Sequence, residues 1–123
     1  MPQSQSIESY RDLEVWQRGV TLVKTVYDLT EPFPASEKYG LTSQLRRASV
    51  SIPSNIAEGW GYSSRDQYLH YLERARSSLL EVETQIIVAD QLGYISSEEK
   101  KSTLNETTVE SKMLLSLMRA LRS

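Results

Sequence analysis

The chain has 123 residues, 39% of them hydrophobic and 24% charged, with a formal net charge of −2. This composition predicts a single globular domain over residues 1–123 rather than a disordered segment or a strongly basic protein. The absence of cysteine excludes disulfides, thiolate catalysis and cysteine-ligated metal sites. The sequence shows neither a signal peptide nor an apolar run of the roughly 18 residues that a membrane span needs. We therefore expect a cytoplasmic protein.

The first predicted helix covers residues 12–30. Asp12 is the expected N-cap, and Pro32 and Pro34 end the helix because proline cannot continue it. The helix carries two apolar stripes. The heptad-type spacing predicts that the core-facing stripe consists of Leu13, Trp16, Val20, Val23 and Tyr27. The second stripe consists of Val15, Leu22, Val26 and Leu29.

The second predicted helix covers residues 37–58 and contains Pro53. Proline lacks an N–H, and its ring clashes with the carbonyl four residues earlier, so we expect the helix to kink or restart there. Ser51 would then cap the restarted segment, and Gly59 would end it in the left-handed conformation. The apolar face of this helix consists of Leu41, Leu45, Ala48 and Ile52.

The third and fourth predicted helices cover residues 64–92 and 97–122. Ser64 has capping-box spacing to Gln67, and Ser96 or Ser97 is the expected N-cap of the fourth helix. The core-facing stripe of the third helix consists of Tyr68, Leu72, Ala75, Leu79, Val82, Ile86 and Ala89. Further apolar residues lie off that stripe, at Leu69, Leu80, Ile87, Val88 and Leu92. The fourth helix ends in the apolar cluster Leu114, Leu115, Leu117, Met118 and Leu121.

These elements predict an all-α protein: an antiparallel, up-down-up-down, left-handed four-helix bundle whose second helix is kinked at Pro53. The additional apolar stripes have two interpretations. They can form a second contact surface, which predicts a homo-oligomer, or they can widen the core-facing stripe of each helix. The sequence leaves both open.

The residues for catalysis or metal binding are scarce. The chain has one histidine, His70, whereas a di-iron site in a helical bundle needs two Glu-x-x-His pairs. The segment Gly59-Trp60-Gly61 lacks the spacing and the lysine of a phosphate-binding loop. We therefore expect no enzyme activity, no metal and no cofactor.

The middle of the chain is its most basic part. Residues 36–76 carry six basic side chains against four acidic ones, and basic surfaces attract anionic partners. The candidate nucleic-acid-binding residues are Arg46, Arg47, Arg65, Arg74 and Arg76. Nearby stacking surfaces are Trp60, Tyr62, Tyr68 and Tyr71. In the alternative interpretation the arginines pair with Glu58 and Glu73, Tyr68 belongs to the core and Trp60 covers one end of the bundle.

Three segments together resemble a bacterial protein family: DLEVWQRG, then FPASEKYGLTSQLRRASVSIPSNIAEGWG, then YLERARSSLLEVETQIIVADQLGYI. The family is that of the four-helix-bundle proteins encoded in 23S ribosomal RNA intervening sequences, which also includes the accessory variability determinant of diversity-generating retroelements. The structural signature falls on Ser51, Pro53, Asn55, Glu58 and Gly59. Further matching positions are Glu37, Tyr39, Gly40, Leu41, Gln44, Arg46, Arg47, Ala48, Ile52, Ile56 and Ala57.

The resemblance implies an antiparallel bundle that can assemble as a ring-like homopentamer and has no catalytic residues. It also implies that the retroelement branch of the family binds nucleic acid and a reverse transcriptase through a basic surface. We therefore expect RNA or a ribonucleoprotein as the ligand. Two departures bear on nucleic-acid binding. Tyr62 stands where the family usually has arginine, and this chain is slightly acidic whereas the retroelement proteins are basic. The expected function is a non-enzymatic, oligomeric binding or scaffold module for RNA. The alternative is a structural homo-oligomer that binds only protein.

Overall fold

A computed structural model describes residues 6–123. Four α-helices make up most of this range: α1 at Glu14–Thr30, α2 at Leu41–Trp60, α3 at Arg65–Gln91 and α4 at Ser97–Arg122. Residues 6–123 contain no β-strand, so the predicted all-α fold with four helices is confirmed. None of the helices in this range is long and apolar enough to cross a membrane.

The helices surround one hydrophobic core. Three polar contacts relate the helix ends. Arg46 with Thr30 (2.8 Å) and Lys100 with Asp90 (3.3 Å) place the end of one helix beside the start of the next, and Arg122 with Glu73 (3.1 Å) places the end of α4 beside the first half of α3. This order of contacts is the one expected of an antiparallel bundle. The left-handed crossing of the helices remains a prediction.

The predicted core-facing stripe of α1 is wrong, because α1 buries its other stripe. Val15, Leu22, Val26 and Leu29 are at most 8% exposed. Val20 and Tyr27 of the predicted stripe are 42% and 41% exposed, respectively. Both stripes have helical spacing, so only the packing of α1 against its neighbours distinguishes them.

The predicted stripes of α2 and α3 agree with the core. Leu45, Ala48 and Ile52 of α2 are buried, and so is every predicted stripe residue of α3 except Tyr68, which is half-buried. In α4 the predicted cluster contributes Leu114 and Met118 to the core.

Asp12 is not the N-cap of α1. The helix begins at Glu14 with Leu13 as an N-cap that makes no side-chain hydrogen bond. The Asp12 carboxylate instead accepts hydrogen bonds from the backbone N–H groups of Glu8 (2.9 Å) and Ser9 (3.1 Å). These bonds close a short 3₁₀ turn at Tyr10–Asp12 that precedes α1.

Helix α2 begins later than predicted, because residues 35–37 form a separate 3₁₀ turn. The Glu37 carboxylate accepts a hydrogen bond from the Leu41 backbone N–H (3.0 Å) and another from the Tyr94 hydroxyl (2.9 Å). These two bonds lower the pKa of Glu37. A Cβ on Gly40 would lie 2.8 Å from Glu37 Oε1, so glycine at position 40 leaves room for this carboxylate cap of α2.

Helix α2 runs without interruption through Pro53 to Trp60. The predicted restart at Pro53 is therefore wrong, while a bend at Pro53 remains a prediction. Gly59 is also not a left-handed stop, since it lies inside the helix and is buried. Within residues 6–123 the one glycine with a positive φ is Gly93 (77°), in the turn between α3 and α4.

The starts of α3 and α4 follow the sequence signals. Ser64 caps α3 by accepting a hydrogen bond from the Gln67 backbone N–H (3.3 Å). Ser96, not Ser97, is the N-cap of α4 and forms a capping box with Glu99. Satisfying these first N–H groups stabilises each helix start by about 1 kcal/mol.

Candidate nucleic-acid interface

The family-signature residues of α2 lie where α2 packs closely against α3. The Ser51 and Ser78 hydroxyls are 2.9 Å apart, and Asn55 Nδ2 donates hydrogen bonds to the Ser51 carbonyl and to Ser51 Oγ, each at 2.8 Å. Ser51 therefore joins the two helices rather than capping a restarted segment. Short polar side chains at this contact allow the two backbones to approach while each buried polar group keeps a partner.

At Gly59, α2 lies in close contact with α3. A Cβ on Gly59 would lie 2.8 Å from Tyr71 Cβ and 3.1 Å from Tyr68 Cδ1. Any larger residue at position 59 would push α3 away. This contact places the Tyr71 ring at the end of the bundle, next to the connection between the two helices.

Three side chains form a hydrogen-bonded cluster at this end: Glu58, Tyr62 and Tyr71. The Tyr62 and Tyr71 rings are stacked, with centroids 5.3 Å apart and planes 14° from parallel. Their hydroxyl oxygens are 3.4 Å apart. Hydrogen bonds with Tyr62 and then Glu58 raise the pKa of the Tyr71 phenol to about 12. We call these three residues the tyrosine cluster.

Trp60 and Tyr68, the other two predicted stacking residues, are placed differently. Tyr68 is half-buried and packs against the core, and burial raises the pKa of its phenol. Trp60 is half-buried with its ring 6.4 Å from the Tyr10 ring, in an edge-to-face arrangement. Both agree with the alternative interpretation of the sequence, in which Tyr68 belongs to the core and Trp60 covers one end of the bundle.

The five candidate arginines do not form one patch. Arg46 is engaged with the end of α1: its Nε donates to Thr30 Oγ1 (2.8 Å), and its Nη2 donates to the Tyr27 carbonyl (3.4 Å). Its guanidinium also lies 4.5 Å from the centroid of the Tyr27 ring and bonds Glu31 at 3.3 Å. Arg46 therefore holds α2 against the carboxyl end of α1, where a cation is favoured.

Arg47 is exposed and lines a groove of about 280 Å³ between α2 and α3. The groove is also lined by Gln44, the Ser51–Ser78 hydroxyl pair and Glu81. Arg74 is exposed as well, with its guanidinium 5.5 Å from the centroid of the Tyr71 ring. Both arginines therefore lie along the contact of α2 with α3.

Arg65 and Arg76 occupy other positions. Arg65 is exposed at the first position of α3, close in the chain to Tyr62. Arg76 is half-buried, and its Nε is buried without a hydrogen-bond partner among residues 6–123. Arg76 precedes Asp90 by two heptads, and Asp90 bonds Lys100 of α4, so Arg76 lies on the α4 side of α3.

The predicted pairing of Glu73 with these arginines is wrong. Glu73 bonds Arg122 of α4 at 3.1 Å, and Glu58 faces the tyrosine cluster. His70 is exposed, and its ring packs edge-to-face on the Tyr71 ring at 5.3 Å. Residues 6–123 contain no group of three or more side chains suited to holding a metal ion.

One apolar surface remains exposed on the carboxyl half of α3. Its side chains are between 39% and 52% exposed and comprise Leu80, Ile87, Val88 and Leu92. We call these four residues the α3 apolar strip. All four belong to the apolar residues that lie off the predicted core-facing stripe of α3. Because they are exposed, they do not widen that stripe.

Sequence reasoning missed Glu110, which is 1% exposed. Among residues 6–123 neither carboxyl oxygen has a hydrogen-bond partner, and a Cβ on Gly19 would lie 3.1 Å from its Oε2. Burial raises the pKa of Glu110 to about 8, with Arg18 acting in the opposite direction. Glu110 lies at helical spacing from the buried Thr103, Thr107 and Leu114, but a row made mostly of polar residues does not mark a buried face in the sequence.

Fold and surfaces together define a small helical-bundle protein. Residues 11–116 match the family described as 23S rRNA-intervening sequence protein. Since the match covers most of the chain, the protein belongs to this family, and the resemblance of its sequence motifs is confirmed.

A solved structure is similar to the chain. It is the crystal structure, at 1.70 Å resolution, of a protein with unknown function from the S23 ribosomal protein family of Bacteroides thetaiotaomicron. The TM-score is 0.77 at 24% sequence identity, and the similarity covers 85% of this chain and 95% of that chain. At this identity the likeness shows the fold alone. No curated protein matches the chain.

Proposed function

We propose that the protein is a non-catalytic, oligomeric module that binds RNA through the face formed by α2 and α3. The observation that carries this proposal is the pair of exposed arginines, Arg47 and Arg74, along one helix contact that ends in the tyrosine cluster. Family membership supports RNA as the anionic partner, since the name of the family refers to intervening sequences of 23S rRNA. The expected location is the cytoplasm.

Arginine and tyrosine supply the two kinds of contact that RNA needs. A guanidinium binds phosphate oxygens through fixed N–H groups, and an aromatic ring stacks on an unpaired base. Arg65 is exposed at the start of α3 and is the third candidate arginine for this interface. Arg46 and Arg76 are not proposed to contact the RNA themselves, because Arg46 is engaged with α1 and Arg76 lies toward α4.

The oligomer is proposed from the α3 apolar strip. A group of exposed apolar side chains is more stable when a second surface covers it. A subunit number of five comes from the family resemblance. Repetition of the α2–α3 face in a ring would multiply weak phosphate contacts and so raise affinity for a long RNA.

Binding of structured RNA at increasing salt tests the RNA proposal. For the wild-type protein we expect affinity to fall steeply with salt. The double variant R47E/R74E should bind more weakly, and its plot of log affinity against log salt should lose a slope of roughly 1 per arginine.

The matched control reverses two exposed charges on α4, in the variant K101E/R119E. It changes net charge by the same amount and leaves the α2–α3 face intact, so we expect RNA affinity closer to wild type. Equal loss of RNA binding in both variants would show that the loss results from the change in net charge and not from the α2–α3 face. Absence of any salt-sensitive binding to RNA or DNA would refute the proposal.

The second candidate is a structural homo-oligomer that binds only protein. The α3 apolar strip favours it, because that surface needs a partner whether or not RNA binds. The ratio of nucleic-acid to protein absorbance in the purified oligomer distinguishes the two candidates. A nucleic-acid-free oligomer that also fails to bind RNA in titration would establish the second.

A further inference from the structure

The tyrosine cluster presents an aromatic face at the end of the bundle. Tyr62 is 44% exposed, although it stacks on Tyr71 with ring centroids 5.3 Å apart. One side of the Tyr62 ring is therefore covered by Tyr71, while the residue as a whole remains exposed. An exposed aromatic ring can stack on a nucleobase.

The orientation of this face is set before any ligand binds. The Tyr62 and Tyr71 hydroxyls are 3.4 Å apart, and Tyr71 also hydrogen-bonds Glu58 on α2. Gly59 holds the Tyr71 backbone against α2, since no Cβ fits between them. A ring held in place by its neighbours loses little rotamer entropy on binding, and that raises affinity for a stacked ligand.

One cationic group lies beside the tyrosine cluster, and a second is close to it in the chain. The Arg74 guanidinium lies 5.5 Å from the centroid of the Tyr71 ring, and Arg65 opens α3 three residues after Tyr62. An RNA base carries phosphates on both sides, so a stacking ring with exposed arginines nearby suits a nucleotide within a strand better than a neutral aromatic ligand.

We propose that Tyr62 is a stacking platform for an unpaired base of RNA, with Arg65 and Arg74 contacting the flanking phosphates. This inference rests on the proposed RNA-binding function and adds the class of RNA, namely a single strand or a loop rather than a continuous duplex. In a duplex the bases are already stacked on each other and do not reach a protein ring.

The test uses an RNA hairpin whose adenosine loop carries one 2-aminopurine, and a blunt RNA duplex of equal length. Tyr62→Ala should weaken binding of the hairpin about 10- to 100-fold, as expected for the loss of one stacked base. It should also abolish the fluorescence quenching of 2-aminopurine, while the salt dependence and the duplex affinity stay as in wild type. Tyr62→Phe keeps the ring and should retain the quenching.

Tyr39→Ala is the matched control. Tyr39 is 88% exposed and lies beside Lys38, whose ammonium is 5.5 Å from the ring centroid, so this pair reproduces a tyrosine next to a cation away from the cluster. Hairpin affinity should not change in this variant. Circular dichroism of both alanine variants confirms that the bundle is folded.

The outcomes separate this inference from the proposed function. If Tyr62→Ala binds the hairpin as tightly as wild type while R47E/R74E binds it weakly, RNA binding stands and the stacking platform is refuted. If no variant and no wild-type sample binds RNA, both proposals fail. A changed oligomer mass in Tyr62→Ala would make the cluster a contact between subunits and would also overturn the inference.

Discussion

Glu110 is the residue whose position most conflicts with its chemistry. Its side chain is buried between α4, Gly19 of α1 and Pro53 of α2, and within residues 6–123 its carboxyl oxygens have no hydrogen-bond partner. An ionised carboxylate in such surroundings is costly, so the group retains its proton. Burial accordingly raises the pKa of Glu110 to about 8, from an ordinary value of 4.5.

This shift predicts that stability falls as pH rises. The folded state binds the Glu110 proton more tightly than the unfolded state, so the contribution of Glu110 is fully present below pH 4.5. It decreases as pH rises toward the folded-state pKa of about 8 and stays at its minimum above it. The total change is on the order of a few kcal/mol.

The variant Glu110→Gln removes the ionisation while keeping the side-chain shape. We expect its unfolding free energy, measured by urea denaturation, to exceed that of wild type by an amount that grows between pH 5 and pH 8. Glu98→Gln, at an exposed carboxylate of the same helix, should leave the wild-type pH dependence nearly unchanged. A wild-type pH dependence that Glu110→Gln also retains would contradict the assignment.

At the scale of helices, the contact of α2 with α3 depends on short side chains on the α2 side. Ser51, Asn55 and Gly59 occupy the α2 surface against α3. Ser51 hydrogen-bonds Ser78 of α3, and Asn55 donates a hydrogen bond to Ser51. Pro53 points the other way, toward α1, where a Cβ on Gly19 would lie 3.4 Å from Pro53 Cβ. The signature thus sets how closely α2 approaches both of its neighbours.

Gly59→Ala tests this contact. The added Cβ would lie 2.8 Å from Tyr71 Cβ, close to the α3 backbone, so α3 has to move. We expect a loss of about 1–3 kcal/mol of unfolding free energy and a lower thermal midpoint. The displacement of Tyr71 should also reduce quenching of a 2-aminopurine loop.

Gly61→Ala is the control at the end of the same helix. Its nearest neighbour would be the Glu58 carbonyl at an ordinary 3.4 Å, and its φ of −71° suits alanine. Stability should stay the same or rise by up to about 1 kcal/mol. Equal destabilisation of both variants would show that Gly59 is not a close-approach site.

At the scale of the whole molecule, burial is asymmetric around the bundle. The core takes one stripe from each helix, but α3 also exposes Leu80, Ile87, Val88 and Leu92. A helix in an isolated bundle needs one apolar face. The proposed partner for the α3 apolar strip is another copy of the chain.

The double variant L80E/I87E should be smaller in solution than wild type. Two carboxylates in the centre of an apolar contact would remain without compensating partners, so subunits should dissociate. Light scattering coupled to size exclusion at micromolar concentration measures the mass. The helical circular dichroism signal should persist, because both side chains are exposed in the single chain.

Val109→Glu is the comparison variant, since Val109 is an exposed apolar residue of α4 at 38% exposure. It should keep the wild-type mass. A wild-type protein that is monomeric at micromolar concentration would refute the oligomer, and so would an unchanged mass in L80E/I87E.

The sequence predicts the bounds and the core-facing stripe of some helices better than those of others. Helix α4 was predicted with its observed bounds, because its N-cap Ser96 and the acidic residues of its first turn are local signals that act within one turn. The core stripe of α3 was also readable, since a single continuous heptad-type pattern runs along it. In α1 two stripes compete, and the choice between Val20 and Leu22 depends on where α2 and α4 pack.

The candidate site was harder to predict from the sequence, because its contacts join residues of different helices. Arg46 and Arg47 are adjacent in the chain and look equivalent there, but only the packed helices direct Arg46 to Thr30 and leave Arg47 exposed. The sequence likewise contained Tyr62 and Tyr71 without indicating that their rings stack.

The sequence by itself determined the helical class, the number of helices, the starts of α3 and α4 and the family. Those properties follow from periodicity, capping residues and local motifs within a few residues of each other. The tertiary structure decided which stripe of α1 is buried, that α2 continues through Pro53, that Glu110 is enclosed and that the tyrosine cluster forms. Each of these depends on contacts between helices far apart in the chain, which no local pattern encodes.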